Sequence, residues 1–148
     1  MTIRLSIIIT AFREAETIGQ AIEAFLDQIP EQAELLIVSP DPETITIIDD
    51  YTRRFSCVRH VADPQRGKPT ALNAGLKAAH GEIVVLSDGD VYVAPQALDA
   101  LLAPFDDPRV GAVSGRPISL SARETILGYW SHFLTAGAHH MRLNRDRN

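Results

Sequence analysis

Residues 5–10, Leu-Ser-Ile-Ile-Ile-Thr, form a short β-branched run. Such runs predict a strand buried on both faces. Ile18, Ala21, Ile22, Phe25, Leu26 and Ile29 then recur at helical spacing, with Thr17 or Glu16 near the start and Pro30 just past the end. Residues 35–38 predict a second strand. Pro42 opens a second helix, striped by Ile45, Ile48, Thr52 and Phe55. A third strand at 57–61 leads into a polar loop, 62–68, containing Pro64 and Gly67. An alanine-rich helix follows over 69–79, closed by Gly81. The most apolar strand is predicted at 83–86, then a helix at 95–105 and a fifth strand at 110–114.

Strand and helix alternate throughout. That pattern predicts an α/β fold, a Rossmann-like, mostly parallel sheet with helices on both faces. The apolar strand 83–86 is expected at its centre. Open sheets of this kind bind ligands beyond the carboxyl ends of their strands. Segments 10–14, 39–41, 62–68 and 87–90 are therefore where chemistry is expected. The tail breaks the alternation. Ile126, Leu127, Trp130, Phe133, Leu134 and Met141 mark one face of a helix from about 123 to 143. Its large apolar groups are expected to cover a core, or to pack on another portion of a longer protein or another chain.

Composition narrows this only slightly. The 148 residues, 45% apolar and 22% charged, suit one ordinary globular domain. The net charge of −5 argues against bulk attraction to nucleic acid. Residues 1–115 hold nine basic and seventeen acidic side chains, whereas 116–148 hold five arginines and two acids. Cys57 is the only cysteine, which rules out an intrachain disulfide and a cysteine-based zinc site. No apolar run approaches the roughly 20 residues of a membrane span, and the N-terminus lacks a signal-peptide pattern. A cytoplasmic location is the default expectation.

Asp88-Gly89-Asp90 holds the strongest chemical signal. Two carboxylates one residue apart can both reach a hard cation, and the glycine lets the backbone turn between them. Asp and Gly are also common turn residues, so position at the end of a buried strand decides the reading. Arg66-Gly67-Lys68-Pro69-Thr70 places a cation and free backbone donors at a helix start, which suits a phosphate. It is not a P-loop, because Pro69 follows the lysine and Ala62 stands where the first glycine belongs. Asn73 lies one turn further on. The first strand ends in Thr10-Ala11-Phe12-Arg13-Glu14, with no Gly-x-Gly-x-x-Gly; this disfavours a dehydrogenase-type dinucleotide fold. Phe12 could pack on a flat base and Glu14 could accept hydrogen bonds.

Three segments, in order and on the expected elements, resemble family 2 glycosyltransferases. Residues 6–18 are similar to that family's opening strand and Pro-Ala-Tyr-Asn-Glu motif. Residues 67–75 resemble its Lys-to-Asn helix motif, and 81–90 its Asp-x-Asp strand. The resemblance implies a GT-A (nucleotide-diphospho-sugar transferase) fold, with a donor-binding core over 1–120. An amphipathic helical segment, 121–148, would begin an incomplete acceptor-side region. It also implies that Thr10, Phe12, Glu14, Lys68, Asn73 and Asp88 serve the nucleotide. Asp88 and Asp90 would hold manganese or magnesium on the diphosphate. The expected partners are a nucleotide-diphosphate sugar and an acceptor (glycan, lipid or protein), with inversion the expected stereochemical course.

The chain departs from the family pattern in places. The family's second strand usually ends in an acidic pair whose first member reads the base. Here Ser39 holds that position and Asp41 follows two residues later, so both are donor-side candidates. Phe12 replaces a frequent Tyr. No residue matches the family's later catalytic Asp, the general base that inversion requires. Two further readings stand beside the enzyme: a truncated nucleotide-sugar-binding or interaction domain, and a metal-dependent nucleotidyltransferase, disfavoured by the lack of glycine in 10–14. The helix 123–143 leaves self-association, or peripheral contact with the inner face of a membrane, open.

Overall fold

The computed structural model describes residues 4–145, with side chains placed through Met141. Four strands, β1 (Leu5–Thr10), β2 (Ala33–Ser39), β3 (Val58–Ala62) and β4 (Ile83–Asp88), form one sheet in the order β3-β2-β1-β4. All three pairings are parallel. The crossovers are α1 (Ile18–Leu26), α2 (Pro42–Arg54) and α3 (Lys68–Ala78). The α/β class and parallel sheet are as the alternating pattern predicts.

Every residue of β1 and β2 is buried. Ile8, Leu36 and Val38 lie on one face with Ala71 of α3. Gly75 lets α3 approach that face closely, since a Cβ there would press on the Ile8 and Val38 side chains. The alternate residues Ile7, Ile9, Leu35 and Ile37 are equally buried, as are Ile18, Ile22 and Phe25 of α1 and Ile48 of α2. Each such side chain taken from water contributes roughly 1.5–3 kcal/mol.

The sheet order corrects one expectation. Strand β4 is not central: β1 and β2 are, and β4 is an edge among the described strands. Its pattern is half-exposed, with Val84 and Leu86 open on one face. Apolar content alone does not locate a strand, because a run of Val and Leu is compatible with either position. The order still reverses between β1 and β4, and that reversal opens a crevice at the strand ends.

Beyond β4 come α4 (Ala97–Leu102) and a 3₁₀ turn over Ala103–Asp106, where a single helix over 95–105 is predicted. The fifth strand expected at 110–114 is absent; the segment is irregular and has no strand partner among the described residues. An extended run needs such a partner to satisfy its backbone. The chain divides into two units, one through Asp99 and one from Ala100. In the second, α5 (Ile126–Arg145) is a 20-residue helix. Gly128 is the only buried residue among those described from 100 onward, its Cα close against the Ala122 carbonyl. Trp130 and Phe133 pack edge to face at 5.8 Å but stay exposed, so they do not cover a core among the described residues. No described helix is long and apolar enough to cross a membrane.

Candidate functional site

Strands β1 and β4 end level with each other. Thr10, last in β1, is the register partner of Asp88, last in β4. Its hydroxyl donates to Asp88 Oδ1 at 3.0 Å. Lys68, the first residue of α3, brings Nζ to the same oxygen at 2.5 Å. Gly67 sets that approach with φ of 90°, a conformation only glycine adopts freely. The Gly89 amide then donates to the Thr10 carbonyl, extending the ladder one step and delivering Asp90 to the crevice in an exposed position.

Glu14 reaches the same place from the loop after β1. A Cβ at Gly89 would collide with the Glu14 carboxylate and the Ala11 side chain, so the glycine makes room for that acid. Glu14 Oε2 is buried without a hydrogen-bond partner. Burial pushes the Glu14 carboxyl above its ordinary value, and neighbouring Asp90 and Asp88 push the same way, against the Phe12 amide and Lys68.

These side chains line a cavity of about 590 Å³ at the carboxyl ends of the strands. It brings together six of the residues singled out from sequence: Thr10, Phe12, Glu14, Lys68, Asp88 and Asp90. Phe12 stands 62% exposed at its edge, with the Arg13 guanidinium 5.2 Å from its ring centre. The cavity also contains Ala11, Val38, Pro40, Asp63, Gln65 and Ala71, to none of which the motifs assign a role at the ligand. Asp63 and Gln65 lie in the loop after β3, so fold topology was the signal available for them.

Ser39, Asp41 and Asn73 are not among the lining residues. Ser39 is buried, and its hydroxyl donates to Asp41 Oδ2 at 3.2 Å. Asp41 caps α2, with Oδ1 accepting the Thr44 amide at 3.0 Å and Oδ2 accepting the Arg13 amide at 2.9 Å. Burial raises the Asp41 carboxyl, but the Arg13 and Thr44 amides and the Thr44 and Ser39 hydroxyls outweigh it, leaving the group below its usual range. Asp41 instead borders a neighbouring cleft that includes Arg13, Glu16 and Glu43. Asn73 is exposed on α3.

A hard cation at this site would need several oxygen donors. Among the described residues, no three His, Cys, Asp or Glu side chains group closely enough to enclose one. Asp90 and the second oxygen of Asp88 nevertheless offer two hard oxygen donors beside the cavity. Magnesium-like ions commonly take one or two carboxylates and complete their shell with water and phosphate oxygens. The pair fits a site of that kind, completed by a ligand, and does not fit an all-protein cage.

Comparison with known proteins agrees with this architecture. The family model described as glycosyl transferase family 2 matches residues 6–144. The chain is 28% identical over 127 residues to poly-beta-1,6-N-acetyl-D-glucosamine synthase of Staphylococcus epidermidis, covering 84% of this chain and 31% of that protein. It thus spans about a third of the length of the curated relatives it matches. Two solved structures share the fold. S. aureus TarS 1-349 superposes with a TM-score of 0.63 at 20% identity, covering 82% of this chain and 40% of that one. Glucosyl-3-phosphoglycerate synthase from Mycobacterium tuberculosis, in complex with Mn2+, uridine-diphosphate and glucosyl-3-phosphoglycerate, gives 0.58 at 24% identity, covering 69% and 39%. With its parallel sheet, its strand-end crevice and a family match running nearly its whole length, the chain belongs to glycosyl transferase family 2.

Proposed function

We propose that this chain forms the donor-binding part of a glycosyltransferase that moves a sugar from a nucleotide diphosphate to an acceptor. One observation carries the reading: Lys68, Asp88 and Asp90 converge on a single cavity at the point where the strand order reverses. A diphosphate needs cationic neutralisation, and the Lys68 ammonium supplies it at the cavity. Asp90, with the free oxygen of Asp88, would hold manganese or magnesium. When bound there, the cation would act as a Lewis acid that stabilises the departing nucleoside diphosphate. Thr10 keeps the Asp88 carboxylate oriented, and Phe12 offers an exposed aromatic face at the cavity edge.

Transfer with inversion is the expected course, with the acceptor a glycan, lipid or protein. The polysaccharide synthases among the relatives favour polysaccharide assembly as the setting. A donor-binding part without turnover is the second reading. It is favoured because the acids that line the cavity, Glu14, Asp63, Asp88 and Asp90, all lie at the strand ends that the donor reading already uses.

Isothermal titration with a panel of nucleotide-diphosphate sugars, with and without Mn2+, tests the proposal. Binding should require the metal and should weaken at least tenfold in Asp90→Ala, the scale expected from losing a charge-assisted contact. Metal-independent binding, or affinity indifferent to Asp90, would overturn it.

A further inference from the structure

We infer that Asp63, in the loop after β3, reads the base of the nucleotide, selecting a ring that presents an N–H at its hydrogen-bonding edge, as uracil and guanine do. The inference rests on the donor-binding reading above and concerns the opposite end of the same cavity.

The polar groups at the end of β2 are already engaged. The Val38 carbonyl accepts the Ala11 amide at 2.9 Å. The Ser39 carbonyl accepts from His60 Nε2 at 3.0 Å, and the Ser39 hydroxyl is given to Asp41. Both Asp41 oxygens are held by backbone amides. A base lying over β2 therefore finds no acidic reader there.

The next strand outward supplies one. Asp63 lines the cavity one residue past the end of β3. Its Oδ1 accepts the Gln65 amide at 2.8 Å, which fixes the carboxylate in a local turn, with Gln65 at φ of 58°. Oδ2 takes no part in that bond. The cavity lining that Asp63 shares with Lys68 and Asp88 includes the apolar Val38, Pro40 and Ala71, together with the exposed Phe12. Such a surface suits the flat face of a heteroaromatic ring. The ends of β3 and β4 are three inter-strand spacings apart, about 14 Å. That is the length scale of an extended nucleoside diphosphate, so a phosphate end at Asp88 and Asp90 directs the base toward Asp63.

A carboxylate only accepts hydrogen bonds. It pairs with the ring N–H of uracil or guanine and meets a lone pair on the corresponding nitrogen of adenine or cytosine. Sites built around one hydrogen bond reject a ligand lacking it more strongly than shape alone does.

The test is titration of the chain with UDP, GDP, ADP and CDP in Mn2+. The wild type should prefer UDP or GDP over both others by about tenfold or more. Asp63→Asn can keep the Gln65 bond through its carbonyl oxygen while adding an N–H donor, and it should erase that preference. Asp63→Ala should lower affinity for the preferred nucleotide about tenfold without improving the others. Retention of the wild-type order and affinity in both variants would overturn the inference, as would a wild-type preference for ADP or CDP. Asp90→Ala is the control and should weaken all four alike. Binding that depends on Asp90 but not on Asp63 sinks this inference alone. Absence of any binding to the wild type sinks the donor reading, and this inference with it.

Discussion

Asp41 Oδ2 accepts the Arg13 backbone N–H at 2.9 Å, tying the loop after β1 to the start of α2. Arg13 sits at φ of 58°, a left-handed conformation that a non-glycine residue holds only when its surroundings enforce it. The same carboxylate caps the helix at Thr44.

Asp41→Ala should therefore cost about 1–2 kcal/mol in chemical denaturation, the scale of a lost N-cap. Asp41→Asn, which keeps an acceptor, should cost less. An Asp41→Ala protein as stable as wild type would show that the cap contributes nothing.

Lys68 should behave in the opposite way. Its ion pair with Asp88 is more than half exposed on the lysine side, so solvent screens it to about 0–1 kcal/mol. Lys68→Ala should leave the unfolding midpoint nearly unchanged while weakening nucleotide-diphosphate binding about tenfold. A large loss of stability with unchanged binding would mark the pair as structural.

Glu34 anchors the other end of the sheet, at the start of β2. Its carboxylate accepts from the Ser6 hydroxyl at 2.7 Å, the His80 amide at 2.7 Å and Arg59 at 2.7 Å, while buried to 2% exposure. Burial raises its pKa, but the Ser6 and His80 contacts outweigh it and the group is lowered overall. A lowered acid contributes fully above the unfolded-chain value of about 4.3 and loses that contribution as pH falls through the folded value. Wild-type stability should thus decline below about pH 4 more steeply than that of Glu34→Gln. Glu34→Ala should cost about 2–4 kcal/mol at neutral pH, because the His80 amide and Ser6 lose their acceptor. Arg59 is 44% exposed, and water screens its share. Identical acid profiles for wild type and Glu34→Gln would contradict this account.

On α5, Leu127, Trp130 and Phe133 are 83%, 54% and 59% exposed. A patch of that kind on a soluble surface promotes association. The chain should bind an apolar dye and show concentration-dependent sedimentation, and Trp130→Ser with Phe133→Ser should reduce both. A monomer that binds no dye would contradict the expectation.

The sequence was most informative where local physics decides the outcome. The β-branched run at Leu5–Thr10 is a strand, and the stripe of Ile18, Ile22 and Phe25 is a buried helix face. Pro42 after Asp41 opens α2. Period, β-branching and turn residues are properties of neighbours along the chain, and they suffice for element type and for the α/β class. Motif spacing also located Thr10, Lys68, Asp88 and Asp90, because each stands at the end of a strand or the start of a helix.

Tertiary structure alone decided how those ends meet. Nothing local distinguishes β4 as an edge strand from the centre it was expected to hold, since strand order follows from pairing across dozens of residues. The segment 110–114 carries a strand-like composition, yet it joins no strand among the described residues. Asp41 and Asp63 make the point within the site. Both are acids just past a strand, and motif position favoured Asp41 as the donor-side residue. Folding turns one toward the Arg13 and Thr44 amides, where its oxygens are satisfied, and leaves the other lining the cavity. The choice depends on which backbone donors lie within hydrogen-bond reach in three dimensions, and that information exists only once the chain has folded.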